Sequence, residues 1–478
     1  MKTPSFIGRQ EELFRLESLT RKQSSSLVVI HGRRRIGKSR LTQEFGKKRR
    51  FLSFSGLPPH EGTKAQEQRN EFARRLSKQT DLPPLQMHDW GDLFSLLARE
   101  TKQGQVIIVL DEISWMAAED PLFLGKLKNA WDWEFKQNPE LILILCGSVS
   151  SWIEENILKS TGFMGRLSLT LFLQELSITA SNQLLEAQGF QGSDYDRFKI
   201  LSITGGIPRY LEEVQPHIPV EANIKELCFR EGGVLFREFD DIFSDIFSKR
   251  SGTYKKIIQT IVSGSKELND IAKELDITPS GHLTECLTDL IQQGFITRDY
   301  TWNFKGEGKK LSHFRLSDNY LRFYLKCIEP NRFKIEKHHF VNSSVTSLPG
   351  WDSLMALQFE NLVVNNHSLL IKYLPCSFAD IVNEGPFFQR KTVRAMGCQI
   401  DYLIQTRYNT LFVCEIKFSR NPIRSEIIEE MKEKIHRLSL PKGFSCFPFL
   451  IHVNGVSDSV IEQEYFTRII DFSSMLHG

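Results

Sequence analysis

The stretch LVVIHGRRRIGKSRLTQEF, residues 27–45, constrains the fold of this chain more than any other. A short β-branched run is followed by Gly32, Gly37, Lys38 and Ser39 in GxxxxGKS spacing, and then by a helical pattern. In that order the parts can cradle a phosphate. Glycines let backbone N–H groups wrap the oxygens, the lysine reaches the outer phosphates, the serine offers a hydroxyl to Mg2+, and the helix start adds its positive end. Candidate nucleotide contacts are Gly32, Arg33, Arg34, Arg35, Ile36, Gly37, Lys38, Ser39 and Arg40. A chance match in a glycine-containing turn would not bring the flanking strand and helix with it.

Two further apolar runs belong with this loop. QVIIVLDEISW reads as a buried strand ending in Asp111 and Glu112. Asp111 is expected to hold Mg2+ with Ser39, and Glu112 to orient the attacking water. LILILCGSVSSW ends at Ser148, whose hydroxyl is placed to sense a terminal phosphate, although a serine after a strand is also a common loop start. Three such runs separated by helical patterns predict a parallel α/β sheet whose ligands gather at the strand ends.

At 478 residues the chain exceeds one core, and roughly three domains are expected. A formal charge of +3 is too small to draw nucleic acid by the overall field, so contact with DNA requires local patches. The eight cysteines form no CxxC pair, which fits reduced thiols. The opening MKTPSFIGRQEEL lacks an apolar signal core, and no apolar run approaches a membrane span. The expectation is a soluble, cytoplasmic protein with no membrane partner.

FIGRQEELFRLESL, HGRRRIGKSRL, VLDEIS, LCGSVSSW, MGRLS and TGGIPRYLEEV occur in that order through the first half of the chain. Together they resemble the archaeal-type ATPase family, a branch of the AAA-like P-loop ATPases. The resemblance implies ATP and Mg2+ as cofactors and slow, regulated hydrolysis. It places Arg166 and Arg209 where such ATPases keep basic residues that reach phosphates, and Arg9 beside the adenine pocket. Either Arg166 or Arg209 pairing with a surface acid is the alternative.

Residues 246–341 change character. Ile271 and Leu275 mark one helical face, Leu283, Leu287, Leu290 and Ile291 another, and Thr278-Pro279 reads as a helix start. Two strands around a Gly-rich turn follow, which together read as a winged helix. Arg298, Lys305, Lys309, Lys310 and Arg315 form a basic cluster suited to a phosphate backbone, or else a solvated face on a protein-contact module.

A polar linker at 342–350 opens the last segment, where WDSLMALQFENLVVNNH reads as a helix with Glu360 beside its apolar face. CQIDYLIQ and TLFVCEIKFS read as two strands joined at TRYNT. A hairpin centred on Tyr408 sets Asp401 opposite Glu415, and two facing carboxylates repel unless a cation lies between them. Mg2+ favours such a pair with water filling its remaining positions. Lys417 shares the face of Glu415 and could position a hydrolytic water. The pattern resembles the PD-(D/E)XK nuclease superfamily, with Asp401 and Glu415-Ile416-Lys417 as the motif and, by that resemblance, Glu360 as the helix acid. Ile400 stands where that motif usually has proline.

The expected architecture is an α/β multidomain chain. Residues 1–245 form a P-loop ATPase sheet with a helical lid, 246–341 a winged helix, and 342–478 a restriction-endonuclease-like α/β domain. The expected function is ATP hydrolysis coupled to a Mg2+-dependent nuclease acting on DNA. The rival is a nucleotide-switched signalling or scaffold ATPase whose last domain binds a partner without cutting DNA. A nucleotide-dependent homo-oligomer is compatible with both.

Overall fold

The computed structural model describes residues 6–58, 63–247, 251–304, 311–340, 343–393 and 396–478. They fall into two compact units, one spanning Phe6–Glu175 and the other running from Leu176 to the end.

The first unit is an α/β layer structure around a five-stranded parallel sheet. Its strands are β1 (Ser26–His31), β2 (Arg50–Ser55), β3 (Val106–Asp111), β4 (Leu141–Gly147) and β5 (Leu167–Phe172), in the order β2-β3-β4-β1-β5. The three strands read from the sequence are the central ones, and they are buried almost throughout because helices cover both faces. β2 and β5 are the outer strands, more exposed and more polar, so they carry no continuous apolar run to betray them. One face is filled by Phe72, Trp90, Phe94 and Phe123, all buried, with Trp90 and Phe94 stacked at 5.5 Å. The strand order sets the C-terminal ends of β3, β4 and β1 side by side. This brings three sequence-distant segments to one edge of the sheet.

The second unit is built on a mixed sheet. β8 (Ile381–Gln389), β9 (Cys398–Thr406) and β10 (Thr410–Phe418) are antiparallel, and β11 (Ser445–Val453) and β12 (Arg468–Asp471) then continue parallel to β10. The β9–β10 hairpin turns at Arg407–Asn409, where Asn409 has φ of 56°. Its ladder pairs Leu411 with Gln405, Phe412 with Ile404, Val413 with Leu403 and Cys414 with Tyr402, the register read from the sequence. Because β10 and β11 are parallel neighbours, the chain must cross over one face of the sheet between them. The helix Glu426–Arg437 makes that crossing, burying Ile427, Ile428 and Met431 in a core with Leu403, Leu411 and Val413.

The opposite face receives the helix Trp351–Asn365. Its Phe359 meets Phe418 at 5.1 Å, Phe472 at 5.7 Å and Phe198 of the helix Asp194–Thr204 at 5.3 Å. Residues 176–245 thus fold in this unit, where Thr179 also donates to the Met475 carbonyl (2.7 Å) and Asn182 to that of Leu476 (3.1 Å).

The middle segment contributes helices Ser251–Ile261, Leu268–Glu274 and Gly281–Gln292, followed by a two-stranded antiparallel ribbon of β6 (Ile296–Thr301) and β7 (Leu311–Leu316). The third helix starts two residues later than Pro279 suggests, because the Ser280 side chain accepts from Leu283 N–H and caps it. Leu283, Leu287 and Leu290 are buried as their spacing predicts.

The ribbon departs from a solvent-facing basic wing. Trp302 and Phe304, just beyond β6, are buried in the same core as Phe387, Ile400 and Leu403. Arg315 is 8% exposed and bonded to Asp299 at 2.8 Å, so it is a structural cation rather than a surface one. Arg298 is exposed, with its guanidinium over the Tyr300 ring at 5.2 Å. Lys305, Lys309 and Lys310 lie outside the described residues.

Candidate functional site

The glycine loop connects β1 to the helix Lys38–Gly46. Gly32 has φ of 148°, and a Cβ there would stand 2.5 Å from the Leu173 carbonyl oxygen, so only glycine lets the strand exit at this point. Gly37 caps the helix in the left-handed region at φ of 95°. Lys38 is buried, and its ammonium donates to the carbonyls of Gly32 (2.9 Å) and Arg33 (3.1 Å), folding the loop around itself. Burial pushes that ammonium below its ordinary value, while Glu112 and Asp111 oppose the shift.

The strand order puts Ser148, the residue just beyond the middle strand β4, between the loop and β3. Ser39 Oγ donates to Asp111 Oδ2 at 2.8 Å. Ser148 donates to Glu112 Oε2 through both its hydroxyl (2.8 Å) and its N–H (3.2 Å), holding the carboxylate in one orientation. Glu112 itself sits at φ of 51°, a left-handed conformation that turns the chain sharply off the end of β3. Lys38, Ser39, Asp111, Glu112 and Ser148 therefore form one constellation. His31, unremarked in the sequence, lies directly before Gly32, where burial holds its imidazole toward the neutral form and adds no competing charge.

The arginines are engaged locally. Arg166 forks onto Asp132, with Nε–Oδ1 2.9 Å and Nη2–Oδ2 2.8 Å, and Lys128 and Lys136 reach the same carboxylate. This is the acid pairing that stood as the alternative for Arg166. The three cations, Arg166 first, hold the Asp132 carboxyl far below the usual range. Arg209, in the second unit, is half exposed and paired with Glu212 and Glu213 one turn away. Arg9 bonds Glu12 at 3.0 Å and the Ile36 and Gln174 carbonyls, tying the first helix to the end of the loop.

In the second unit the hairpin register brings Asp401 and Glu415 together at 9% and 2% exposure. Asp401 Oδ2 accepts from Ile416 N–H at 2.9 Å, which continues the hairpin past its last ladder pair. A residue absent from the sequence reading stands between the two acids. The Lys434 ammonium bonds Asp401 Oδ1 at 3.3 Å and, more closely, Glu415 Oε2. Lys417 bonds the other oxygen of Glu415 at 3.0 Å and Glu430 at 2.9 Å. Glu430 and Lys434 are four apart on the crossover helix and so share one face of it. That spacing was visible in EEMKEKIHR, but the face it presents to the sheet depends on the β10–β11 connection.

The charges here are balanced within the protein. Burial, then Glu415, raise the Asp401 carboxyl above its ordinary value. Burial would lower Lys434, but Asp401 and Glu415 lift it well above its usual range. Glu360 is raised to about 7 by burial and by Asp401, against the pull of Arg315, Arg322 and Lys434. Among the described residues no group of three or more His, Cys, Asp or Glu is arranged to hold a metal ion, so Glu360 does not complete a three-acid cluster with Asp401 and Glu415.

The Glu360 shift has a measurable consequence. Below about 4.5 the folded and unfolded chains both hold this proton, and between there and about 7 only the folded chain keeps it, so stability falls as pH rises through that window. In urea unfolding at pH 5 and pH 7.5, Glu360→Gln should lose less stability across the interval than the parent and be the more stable protein at pH 7.5. Equal slopes for the two would refute the assignment.

All eight cysteines are free thiols, and among the described residues no helix is long and apolar enough to cross a membrane. The Walker-type ATPase of Pyrococcus abyssi aligns with a TM-score of 0.49 at 18% identity, over 67% of this chain and 96% of its own. The ORC2 protein of Aeropyrum pernix, in its ADPNP–ADP complexes, gives 0.45 at 13% identity, over 70% and 97%. An uncharacterized protein of Methanocaldococcus jannaschii is 27% identical over 335 residues, which is 70% of this chain and 71% of that one. Residues 6–214 match the model of an ATPase domain predominantly from Archaea, and the chain carries an archaeal-type P-loop ATPase domain over that span.

Proposed function

We propose that the chain hydrolyses ATP at Lys38, Ser39, Asp111 and Glu112 and uses it to control a metal-dependent phosphodiesterase site at Asp401, Glu415 and Lys417 that acts on DNA. Three functional segments serve this reading: the ATPase with its lid to residue 245, a winged helix to 341, and a nuclease-like domain to 478. For the ATPase half the carrying observation is the Ser39–Asp111 and Ser148–Glu112 bonding at adjacent strand ends. Lys38 would exchange its two carbonyl partners for the β and γ oxygens of ATP. Glu112, fixed by Ser148, orients the attacking water, and Ser148 links its position to the terminal phosphate. Ser39 and Asp111 are the hydroxyl and carboxylate suited to Mg2+, which neutralises phosphate charge when bound.

For the second half the carrying observation is the convergence of two buried carboxylates on a single cation. Two carboxylates with solvent-filled remaining positions are a donor set for Mg2+, and the Lys434 ammonium already marks a point where positive charge is favoured. A metal ion there would polarise a scissile phosphate and lower the pKa of a bound water. Lys417, about a third exposed, can hold a phosphate oxygen from the side facing solvent.

The test is incubation of the full chain with Mg2+ or Mn2+ and linear or plasmid DNA, with and without ATP. Cleavage is expected, falling by about 100-fold or more in Asp401→Asn. Equal cleavage in the variant, or none in the parent, would remove the nuclease half. Capture of a partner that depends on nucleotide, survives Glu415→Gln and is lost in Lys38→Ala would establish the scaffold reading instead.

A further inference from the structure

The bridge between the two carboxylates is made by a residue that the D…ExK pattern does not include. Asp401 and Glu415 are both nearly inaccessible, and two such charges facing each other with nothing between them would be strongly destabilising. Lys434 answers that need from outside the sheet. Its helix is anchored by Ile427, Ile428 and Met431, while the Lys434 side chain, 29% exposed, reaches past that apolar face to the acids. Lys417 adds its charge at the outer oxygen of Glu415 and is itself held by Glu430 from the same helix. Among the described residues, Lys434 is the cation that pairs with the inner oxygens, Asp401 Oδ1 and Glu415 Oε2. These are also the oxygens that converge on a shared point, so an ammonium and a metal ion would compete for the same place.

We propose that Lys434 is the resident counterion of the Asp401–Glu415 pair and the group a divalent cation must displace, so that metal entry at this site is an exchange of one cation for another. The inference rests on reading that pair as a metal site. Lysine suits the role because its ammonium is a compact charge on a flexible four-carbon stem, free to swing into solvent without disturbing the helix that carries it. No covalent bond changes in the exchange: the ammonium–carboxylate hydrogen bonds break, Lys434 leaves protonated, and the metal would be ligated by the same oxygens. The crossover helix then acts as a gate on the site by where it holds one side chain.

Nucleotide-free full-length protein is titrated with Mn2+ and followed by electron paramagnetic resonance, with Glu415→Gln as the baseline for binding elsewhere. Lys434→Met, which keeps the length but not the charge, should bind Mn2+ about tenfold more tightly than the parent. That gain should vanish in the Lys434→Met/Glu415→Gln double variant. Unchanged or weakened Mn2+ binding in Lys434→Met overturns the proposal. Because the single variant leaves two buried acids without their Lys434 counterion, a cost to folding, a second measurement uses the parent protein. Acetylation of Lys434 by an N-hydroxysuccinimide ester, quantified by mass spectrometry against the half-exposed Lys432, should rise several-fold at saturating Mn2+. Labelling that stays level or falls overturns the exchange. Tighter Mn2+ binding without DNA cleavage keeps the exchange and removes the nuclease, whereas cleavage with unchanged Lys434 labelling does the reverse.

Discussion

Lys38→Ala should abolish ATP turnover, lowering kcat by about 10²- to 10³-fold or more, the scale seen when one preorganised donor to a developing charge is deleted. The loss has two sources in this structure. The first is the missing cation at the transferring phosphoryl group. The second is local: Lys38 holds the Gly32 and Arg33 carbonyls at 2.9 and 3.1 Å, so its removal also releases the backbone that must present N–H groups to the phosphates. Lys38→Arg should fail nearly as badly, because a planar guanidinium is too wide for a side chain buried inside the loop. Phosphate release under saturating ATP measures the effect, with circular dichroism showing that the sheet is intact. Turnover within about threefold of the parent would mean that hydrolysis is not carried by this loop.

How much of this was legible depends on whether the signal was local. Gly32, Gly37, Lys38 and Ser39 are read within one turn of chain, and the runs ending in Asp111 and Ser148 are continuous apolar segments that only a central parallel strand would use. Asp401 and Glu415 were found because a hairpin has a fixed register once its turn is placed, and the ladder from Leu411–Gln405 to Cys414–Tyr402 follows it. Lys434 was not found, since its helix reaches the carboxylates only through the crossover from β10 to β11, and nothing local to EEMKEKIHR says which face meets the acids. Arg315 was misread for a similar reason. It was counted as a cation of the wing, but it lies on a strand whose last four residues are buried, and it bonds Asp299 on the facing strand and Asn361 on the helix that carries Glu360. Asp132 became the partner of Arg166 from 34 residues away, a contact set by tertiary packing.

Trp302→Ala should destabilise the second unit by about 3–5 kcal/mol, the usual cost of emptying a large aromatic site in a core. The segment after β6 carries aromatic side chains as well as lysines, and the structure assigns the aromatics a structural job. Trp302 is 7% exposed and meets Phe387 of β8 edge-on at 5.4 Å, while Phe304 stacks on the same ring at 5.1 Å. Trp302 Nε1 donates to Gln405 Oε1, and Gln405 Nε2 donates in turn to the Phe304 carbonyl at 3.0 Å, so the Gln405 side-chain amide is bonded at both its oxygen and its nitrogen by the segment that follows β6. Truncation therefore creates a cavity and also strands a buried acceptor, two costs that add. Trp302→Phe separates them: it keeps most of the ring contact and should cost only about 1–3 kcal/mol, largely for the lost bond. Urea unfolding read by far-ultraviolet dichroism gives the overall loss, and hydrogen exchange of the β8 and β9 amides localises it. A cost below about 1 kcal/mol for the alanine variant would mean that the ribbon is free of the sheet and available to contact nucleic acid. At the full cost, the ribbon is a clasp on the domain that carries Asp401 and Glu415, and any DNA contact must come from another face of the middle segment.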